Sequence, residues 1–301
     1  MEPETMLQSL LDSLRGRVKI DMVRLTGPDF ERVDNRLLSL YLIKHQLTDV
    51  AMFGADGRNV HASEFLYRKQ VLIVPGSFRP PTLVNLDMIK SGYQAFRSVP
   101  GIDPKRSALF VEIALDNLCE DGELDEKDFL DRAELLNALG YTVLLSNCSA
   151  HHQVAEYLSD YRVEPVGLVF GVQALLEMIS KTYYDNQDGR LLAAFGELFA
   201  KNLRIFVYPA LQEGSEELMT IQNMPIPEGV KFLFQHLLDN RQIVDIAQFD
   251  PNVLHIFSKE VLAKIRNGEP GWEHSVSPKV AGLIKEKYLF GFPQEQMKFD
   301  Y

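Results

Sequence analysis

The sequence predicts an α/β fold: a doubly wound, mostly parallel five-stranded sheet of the Rossmann-like kind, with a helical N-terminal extension and C-terminal helices. Three observations predict it. Five runs, "QVLIVP", "SALFVEIA", "YTVLLSN", "PVGLVFG" and "LRIFVYP", are nearly continuous in Val, Ile, Leu and Phe, which suits strands buried on both faces. The stretches between them, among them "PTLVNLDMIKSGYQAFRSV", "EKDFLDRAELLNALG", "HHQVAEYLSDY" and "LLEMISKTYYDN", repeat apolar residues at helical spacing, and strand-helix alternation builds a parallel sheet covered by helices. With 301 residues, 46% of them apolar, the chain can bury one large core or two modest ones.

In chain order, Met6, Leu7, Leu10, Leu11 and Leu14 stand at helical spacing, as do Leu37, Leu38, Leu40, Tyr41 and Ile43. The Asp56-Gly57 pair between apolar residues marks a hairpin or tight turn. The alternating strands and helices follow from residue 70. After "LRIFVYPALQEG" the Gly- and Pro-bearing "EGSEELMTIQNMPIPEG" reads as a surface loop or hairpin, followed by helices at 228–240, 258–267 and 277–287. No internal repeat or low-complexity tract interrupts the chain. The economical division is a helical and hairpin extension over 1–68 and one α/β domain over 69–301.

Lys and Arg total 31 against 42 Asp and Glu, a formal charge of −11. A molecule so acidic repels a polyanionic duplex, so nucleic acid is not an expected partner, while a local basic patch for a small phosphate ligand is allowed. Apolar runs such as "PVGLVFGVQALLEMI" are too short or interrupted to cross a bilayer, so no membrane partner is expected. The acidic start "MEPETMLQSLLDSL" lacks a basic region followed by an apolar one, so no secretory signal is read. Only Cys119 and Cys148 are present, too few for a disulfide framework, and the cytoplasm is the expected compartment.

The chemistry-bearing stretch is "VLIVPGSFRPPTLVNLDMI", residues 71–89, a strand entering a helix through a Gly-Ser turn. In open parallel sheets ligands sit beyond the carboxyl ends of strands, facing backbone amides at helix N-termini. Gly76 would allow close backbone approach, Ser77 and Thr82 could cap or hydrogen-bond, and Arg79 would add positive charge. Pro80 and Pro81 would stiffen the helix entry. Taken by themselves these residues also fit simple punctuation of a turn.

The stretch "GSFRPPTLVNLDMI" resembles the first signature of the HxGH-type nucleotidyltransferase superfamily, particularly pantetheine-phosphate and nicotinate or nicotinamide mononucleotide adenylyltransferases. Gly76, Ser77, Phe78, Pro80 and Thr82 match its Gly-Ser-Phe-x-Pro turn and the start of T/H-x-G-H, whereas Val84 and Asn85 stand at the Gly and the final His. The resemblance implies that Thr82 and Asn85 hold the catalytic positions. Gly76, Ser77, Phe78 and Arg79 would line a nucleotide. Asn85 can donate a hydrogen bond but carries no charge.

A second constellation closes the chain. "LHIFSKEVLAKIRNGEPGWEHSVSPKVAGLIKEKYLFGF" reads as two helices about a Gly-Pro-Gly turn, with Ser258 as N-cap and Val261, Leu262 and Ile265 on one face. Lys259, Lys264 and Arg266 read on charge patterning as solvated. The stretch is similar to the superfamily's second signature, which implies nucleotide-binding roles for Ser258, Lys259 and Arg266. Leu262 stands at the triphosphate-binding Arg. In "GLVFGVQALLEMI", Gly171 matches a strand ending in Gly-x-Asp, with Gln173 at the Asp.

The resemblance implies adenylyl transfer from ATP to a mononucleotide-type acceptor with Mg²⁺ as cofactor. The alternative is a catalytically silent nucleotide-binding or protein-interaction module on the same fold. A small-molecule nucleotide is the expected partner, and a homo-oligomer stays open, with the N-terminal segment as a dimerisation or lid element. An unrelated hydrolase is disfavoured because neither a G-x-S-x-G elbow nor a Walker A loop is present. "NLCEDGELDEKDF", with Asp121, Gly122, Leu124 and Asp128, reads as an acidic loop capping a helix rather than a calcium loop, since Cys119 falls where a carboxylate belongs. Cys148, His151 and His152 lack a second ligand pair for a metal, although His152 falls on the expected ligand rim. Trp272 with His274 reads as a helix-turn anchor.

Overall fold

The five apolar runs form the strands expected of them, and two short strands join them. The computed structural model describes residues 3–9, 20–120, 123–148, 151–186, 189–199, 203–212 and 215–293. The sheet strands are β1 (Val50–Phe53), β2 (Gln70–Pro75), β3 (Ser107–Ala114), β4 (Thr142–Ser146), β5 (Val166–Gly171), β6 (Leu203–Tyr208) and β7 (Ile243–Asp245). Their order is β1-β4-β3-β2-β5-β6-β7. All neighbours are parallel except β1, which runs antiparallel to β4.

Seven strands therefore replace the expected five. β1 lies in the stretch read as an extension, and β7 between two expected helices, where no element was read. Both sit at sheet edges and are three or four residues long, too short to carry a period in sequence. The parallel strands follow the doubly wound order, with its reversal between β2 and β5. That switch point is where such sheets open a crevice at their carboxyl ends.

The helices are α1 (Pro3–Ser9), α2 (Asn35–Lys44), α3 (Ala62–Leu66), α4 (Leu83–Arg97), α5 (Glu126–Ala138), α6 (His151–Ser159), α7 (Val172–Asp185), α8 (Leu191–Leu198), α9 (Lys231–Asp239), α10 (Ser258–Asn267) and α11 (Pro278–Lys287). Residues alternate along each strand to opposite faces. On β2, Val71 and Ile73 pack with α6, α7 and α9 residues such as Leu158, Ile179 and Leu237. Leu72 and Val74 pack with Ile89 and Phe96 of α4 and Phe129 of α5. Burial on both faces is why these strands read as unbroken apolar runs.

Glycine is required at one contact here. A methyl group at Gly167 on β5 would lie 2.7 Å from Leu72 and 2.9 Å from Phe96, so the strand can lie under α4 only without a side chain at that point.

Leu40 and Ile43 of α2 join the core of the sheet, while the other face of α2 packs on α1. Leu7 of α1 meets Leu38 and Leu42 of α2, while Glu4 accepts from Lys44 Nζ at 2.8 Å and lies 2.7 Å from His45 Nε2. Leu10, Leu11 and Leu14, expected on the same helix, lie outside the described residues. So do Asp121 and Gly122 of the acidic loop and the side chains of His151 and His152. No helix among the described residues is long and apolar enough to cross a membrane.

The C-terminal helices form a third cluster. Val261 and Ile265 of α10, Val280 and Ile284 of α11, and Trp272 between them bury one another, with Leu83 and Val84 of α4 packed against the cluster. Val84, where the resembled signature has Gly, thus serves as the seat on which the C-terminal pair rests. Trp272 is 1% exposed, its ring edge-on to Phe292, and Lys285 Nζ stands 5.8 Å from the ring centroid. It is the anchor its sequence position suggested.

Candidate functional site at the starts of α4 and α10

β2 ends at Pro75, and the chain turns through Gly76–Pro81 into α4. Thr82 is the N-cap of α4 and fully buried. Its backbone N–H donates to Asn85 Oδ1 at 3.0 Å and its hydroxyl donates to the same oxygen at 2.9 Å. With the Thr82 side chain facing the Asn85 backbone N–H in return, this makes a capping box with Asn85 in place of the usual Glu or Gln.

Ser258 comes from 173 residues away to complete the group. Its hydroxyl donates to Asn85 Oδ1 at 3.5 Å and lies 3.5 Å from Thr82 Oγ1. Sequence reasoning placed Ser258 as the N-cap of α10. In the structure Phe257 takes that place and Ser258 is the first helical residue. Its side chain turns across to α4 instead of closing its own helix.

Three donors on Asn85 Oδ1 fix the orientation of the amide. Asn85 Nδ2 is left without a hydrogen bond among the described residues. The N-termini of two helices therefore meet around one unspent NH₂ group, where the positive ends of both helix dipoles add.

What aligns the two helices is a carboxylate that sequence reasoning did not single out. Asp87 Oδ2, one turn into α4, accepts from the Tyr208 hydroxyl at 2.6 Å and from the Asp250 backbone N–H at 2.9 Å. Tyr208 ends β6, and Asp250 caps the short 3-10 turn Pro251–Val253 that precedes α10. Burial, then the adjoining Asp87 carboxylate, push the Tyr208 hydroxyl upward, so it stays a donor.

The other expected residues are distributed as follows. Gly76 N–H donates to the Glu112 carbonyl at 3.1 Å. The close approach that Gly76 permits is made by the chain itself: a methyl group there would stand 2.7 Å from the Phe78 ring. Phe78 is buried, with φ at 48°. Ser77 is exposed, and its carbonyl accepts from Arg132 Nη1 at 3.0 Å.

Arg79 Nε donates to Asp128 Oδ1 at 2.5 Å, and Arg132 Nη2 makes a close ion pair with the other oxygen of the same carboxylate. Gly171 is the N-cap of α7, with open space where a side chain would be. Lys259 is exposed beside Ser258, whereas Arg266 lies eight residues along α10, about 12 Å up the helix axis. Thr82, Asn85 and Ser258 are brought together, and Arg266 is not among them.

The chain is similar in fold to adenylyltransferases. A Plasmodium falciparum nicotinic acid mononucleotide adenylyltransferase complexed with APC, and the same enzyme complexed with NaAD, each align over 75% of this chain and 100% of theirs at 13% identity and a TM-score of 0.45. A putative nicotinate-nucleotide adenylyltransferase from Vibrio parahaemolyticus aligns over 75% of this chain and 97% of its own at 13% identity and a TM-score of 0.29. No family model matches the sequence, and no curated protein does. The likeness is one of fold.

One buried acid lies near the carboxyl end of β3. Glu112 of β3 is 2% exposed; Ser146 Oγ donates to its Oε1 at 2.6 Å, and its Oε2 has no partner among the described residues. Burial pushes its carboxyl above the ordinary glutamate value of 4.5, and the Ser146 bond offsets only part of that. As pH rises from 4.5 toward the raised value, the unfolded chain releases a proton that the native chain still holds. Stability therefore falls with rising pH through this window. Glu112→Gln is expected to flatten that fall and to make the variant relatively more stable at neutral than at acid pH. Urea unfolding across pH 4 to 8 checks it; parallel profiles for the two proteins would count against the buried acid.

Proposed function

We propose that the protein binds a nucleoside triphosphate across the N-termini of α4 and α10, and that it does so without transferring the nucleotidyl group at an appreciable rate. The observation that carries the reading is the convergence of two helix starts on Asn85, whose NH₂ is the one side-chain donor of the Thr82–Asn85–Ser258 group not used within it. Helix N-termini with an added N–H donor are suited to a phosphate oxygen. Ser77 and Lys259 are exposed nearby in the chain, and Gly171 leaves room at the adjoining strand end. In this reading Gly76 and Phe78 shape the turn, and Arg79 and Arg266 contribute at longer range.

Transfer asks for more than binding. In-line attack at the α-phosphate develops charge that must be neutralised in place, and a single well-aimed donor is worth about 10²–10³ in rate. Thr82, Asn85 and Ser258 are neutral, Leu262 is packed against the C-terminal cluster, and Arg79 is drawn to Asp128. The group also presents no carboxylate to Mg²⁺, since Asp87 is engaged by Tyr208 and Asp250. The residues at this spot do not by themselves form a magnesium site.

Thermal unfolding with ATP and with NAD, run beside a pyrophosphate-release assay with nicotinate mononucleotide or phosphopantetheine as acceptor, tests both halves. A ligand at about 100 times its Kd adds about 2.7 kcal/mol, so ATP is expected to raise the Tm by several degrees with pyrophosphate at background. A flat response to every nucleotide removes the binding reading. Release above background replaces silence with transfer to a mononucleotide-type acceptor.

A further inference from the structure

A groove runs along the C-terminal half of α4, on the side of the sheet that α4 covers. There α4 packs on β5 and β6, and Phe96 meets Phe206 edge-on with ring centroids 6.0 Å apart. The last strand, β7, is covered from the opposite side by Phe234 and Leu237 of α9, which take Ile243. Its next residue, Val244, turns toward α4 and is half-buried. Between α4 and β7 the groove holds about 390 Å³, within the usual range for small-molecule sites. A slot of about 130 Å³ adjoins it toward Pro165 and Val166 and shares Val99, Pro100, Arg204 and Phe206 as walls.

The walls are largely apolar and their charge is one-sided. Arg204 is half-buried and lines both spaces. Two residues from Phe206 on β6, it shares the side that faces α4. Its guanidinium makes no ion pair or hydrogen bond among the described residues. Arg241, exposed on the rim of the larger space, makes none with its side chain either. Asp245 is the carboxylate in the walls, and strand alternation turns it to the other side of the sheet. There its Oδ1 accepts the N–H of Ile221, a residue of the core under α9.

A guanidinium drawn halfway out of water beside Val99, Pro100, Ile102 and Phe206 gives up hydration that none of these neighbours replaces. An anion would replace it.

We propose that this groove binds a small amphipathic carboxylate, its carboxylate paired with Arg204 and Arg241 and its hydrocarbon body laid along Phe206, Val244 and the slot beside Val166. One negative charge matches the one half-buried cation, and guanidinium and carboxylate meet through paired N–H donors. A phosphate ester would bring excess charge against apolar walls. The groove follows the second half of α4, whereas the junction with α10 lies at the start of that helix, so the two places are distinct.

Isothermal titration of the full chain with octanoate, octanamide and acetate tests this, with R204M, R241A and S258A variants beside it. Octanamide has the chain without the charge, and acetate the charge without the chain. Octanoate should bind more tightly than either by about tenfold or more. R204M keeps the bulk of the side-chain stem and is expected to keep its circular dichroism and Tm. It should weaken octanoate by about tenfold and leave octanamide unchanged. R241A should weaken octanoate severalfold, and S258A should leave it unaffected. No heat at millimolar octanoate, octanamide or acetate binding as tightly as octanoate, undiminished octanoate binding in both arginine variants, or loss in S258A would each overturn the proposal. Should R204M fail to fold, R241A and the preference of the native chain for octanoate over octanamide decide.

Discussion

Replacing Asp128 by alanine is expected to destabilise the protein by about 3–5 kcal/mol, the range for removing one partner of a buried ion pair. Asp128 is 5% exposed and its partner Arg132 only 1%. Arg79, the other guanidinium on this carboxylate, comes from the turn that precedes α4. Desolvation already pulls the Arg132 guanidinium downward, and the Asp128 charge is the largest influence opposing it. Alanine would leave Arg132 buried and facing a second positive group. It would also loosen the bond from Arg132 to the Ser77 carbonyl, so the turn leading to Thr82 should lose definition along with stability. Urea denaturation followed by circular dichroism measures the loss. A change below about 1 kcal/mol would mean that the cluster is solvated and that α5 does not hold the turn.

Trp272→Ala is expected to cost a comparable 3–5 kcal/mol, as for other large aromatic side chains cut from a packed core. The effect should have a second component. Trp272 is the largest side chain of the cluster that presses α10 and α11 onto Leu83 and Val84. Its loss leaves a void between the C-terminal pair and α4, and the 3.5 Å contacts of Ser258 depend on that seating. A nucleotide that raises the Tm of the native chain should therefore raise that of the variant less. If Trp272→Ala lost stability yet kept the full ligand-induced shift, the C-terminal cluster would be a stabilising cap without influence on the site.

Residues differ in how far they can be read along the chain. The five long strands were legible because burial on both faces leaves a local mark, an unbroken apolar run. Helices α10 and α11 were legible to within a residue for the same kind of reason, since Val261, Ile265, Val280 and Ile284 repeat at helical spacing. β1 and β7 were not. "VAMF" and "IVD" are strands only because β4 and β6 lie beside them with free edges.

Of the candidate site, the pairing of the Thr82 turn with the Ser258 helix could be anticipated from two ordered signatures. The network that sets it could not. Asp87 is an ordinary acid in a helical pattern, and its partners Tyr208 and Asp250 lie 121 and 163 residues on. The Asp128–Arg132 pair, four residues apart on α5, did leave a signal, because that spacing puts both on one helix face. Its burial against Arg79 left none.

The sequence by itself determined the class of fold, the order of its main elements and the acidity of the molecule. These follow from side-chain polarity at fixed spacing, which short stretches of chain already contain. Only the tertiary structure decided which polar groups meet, that Asn85 keeps an NH₂ unbonded among the described residues between two helix starts, and that Arg79 faces a carboxylate. Such meetings depend on how helices seat on a sheet, and a few ångströms of packing geometry separate a hydrogen bond from none.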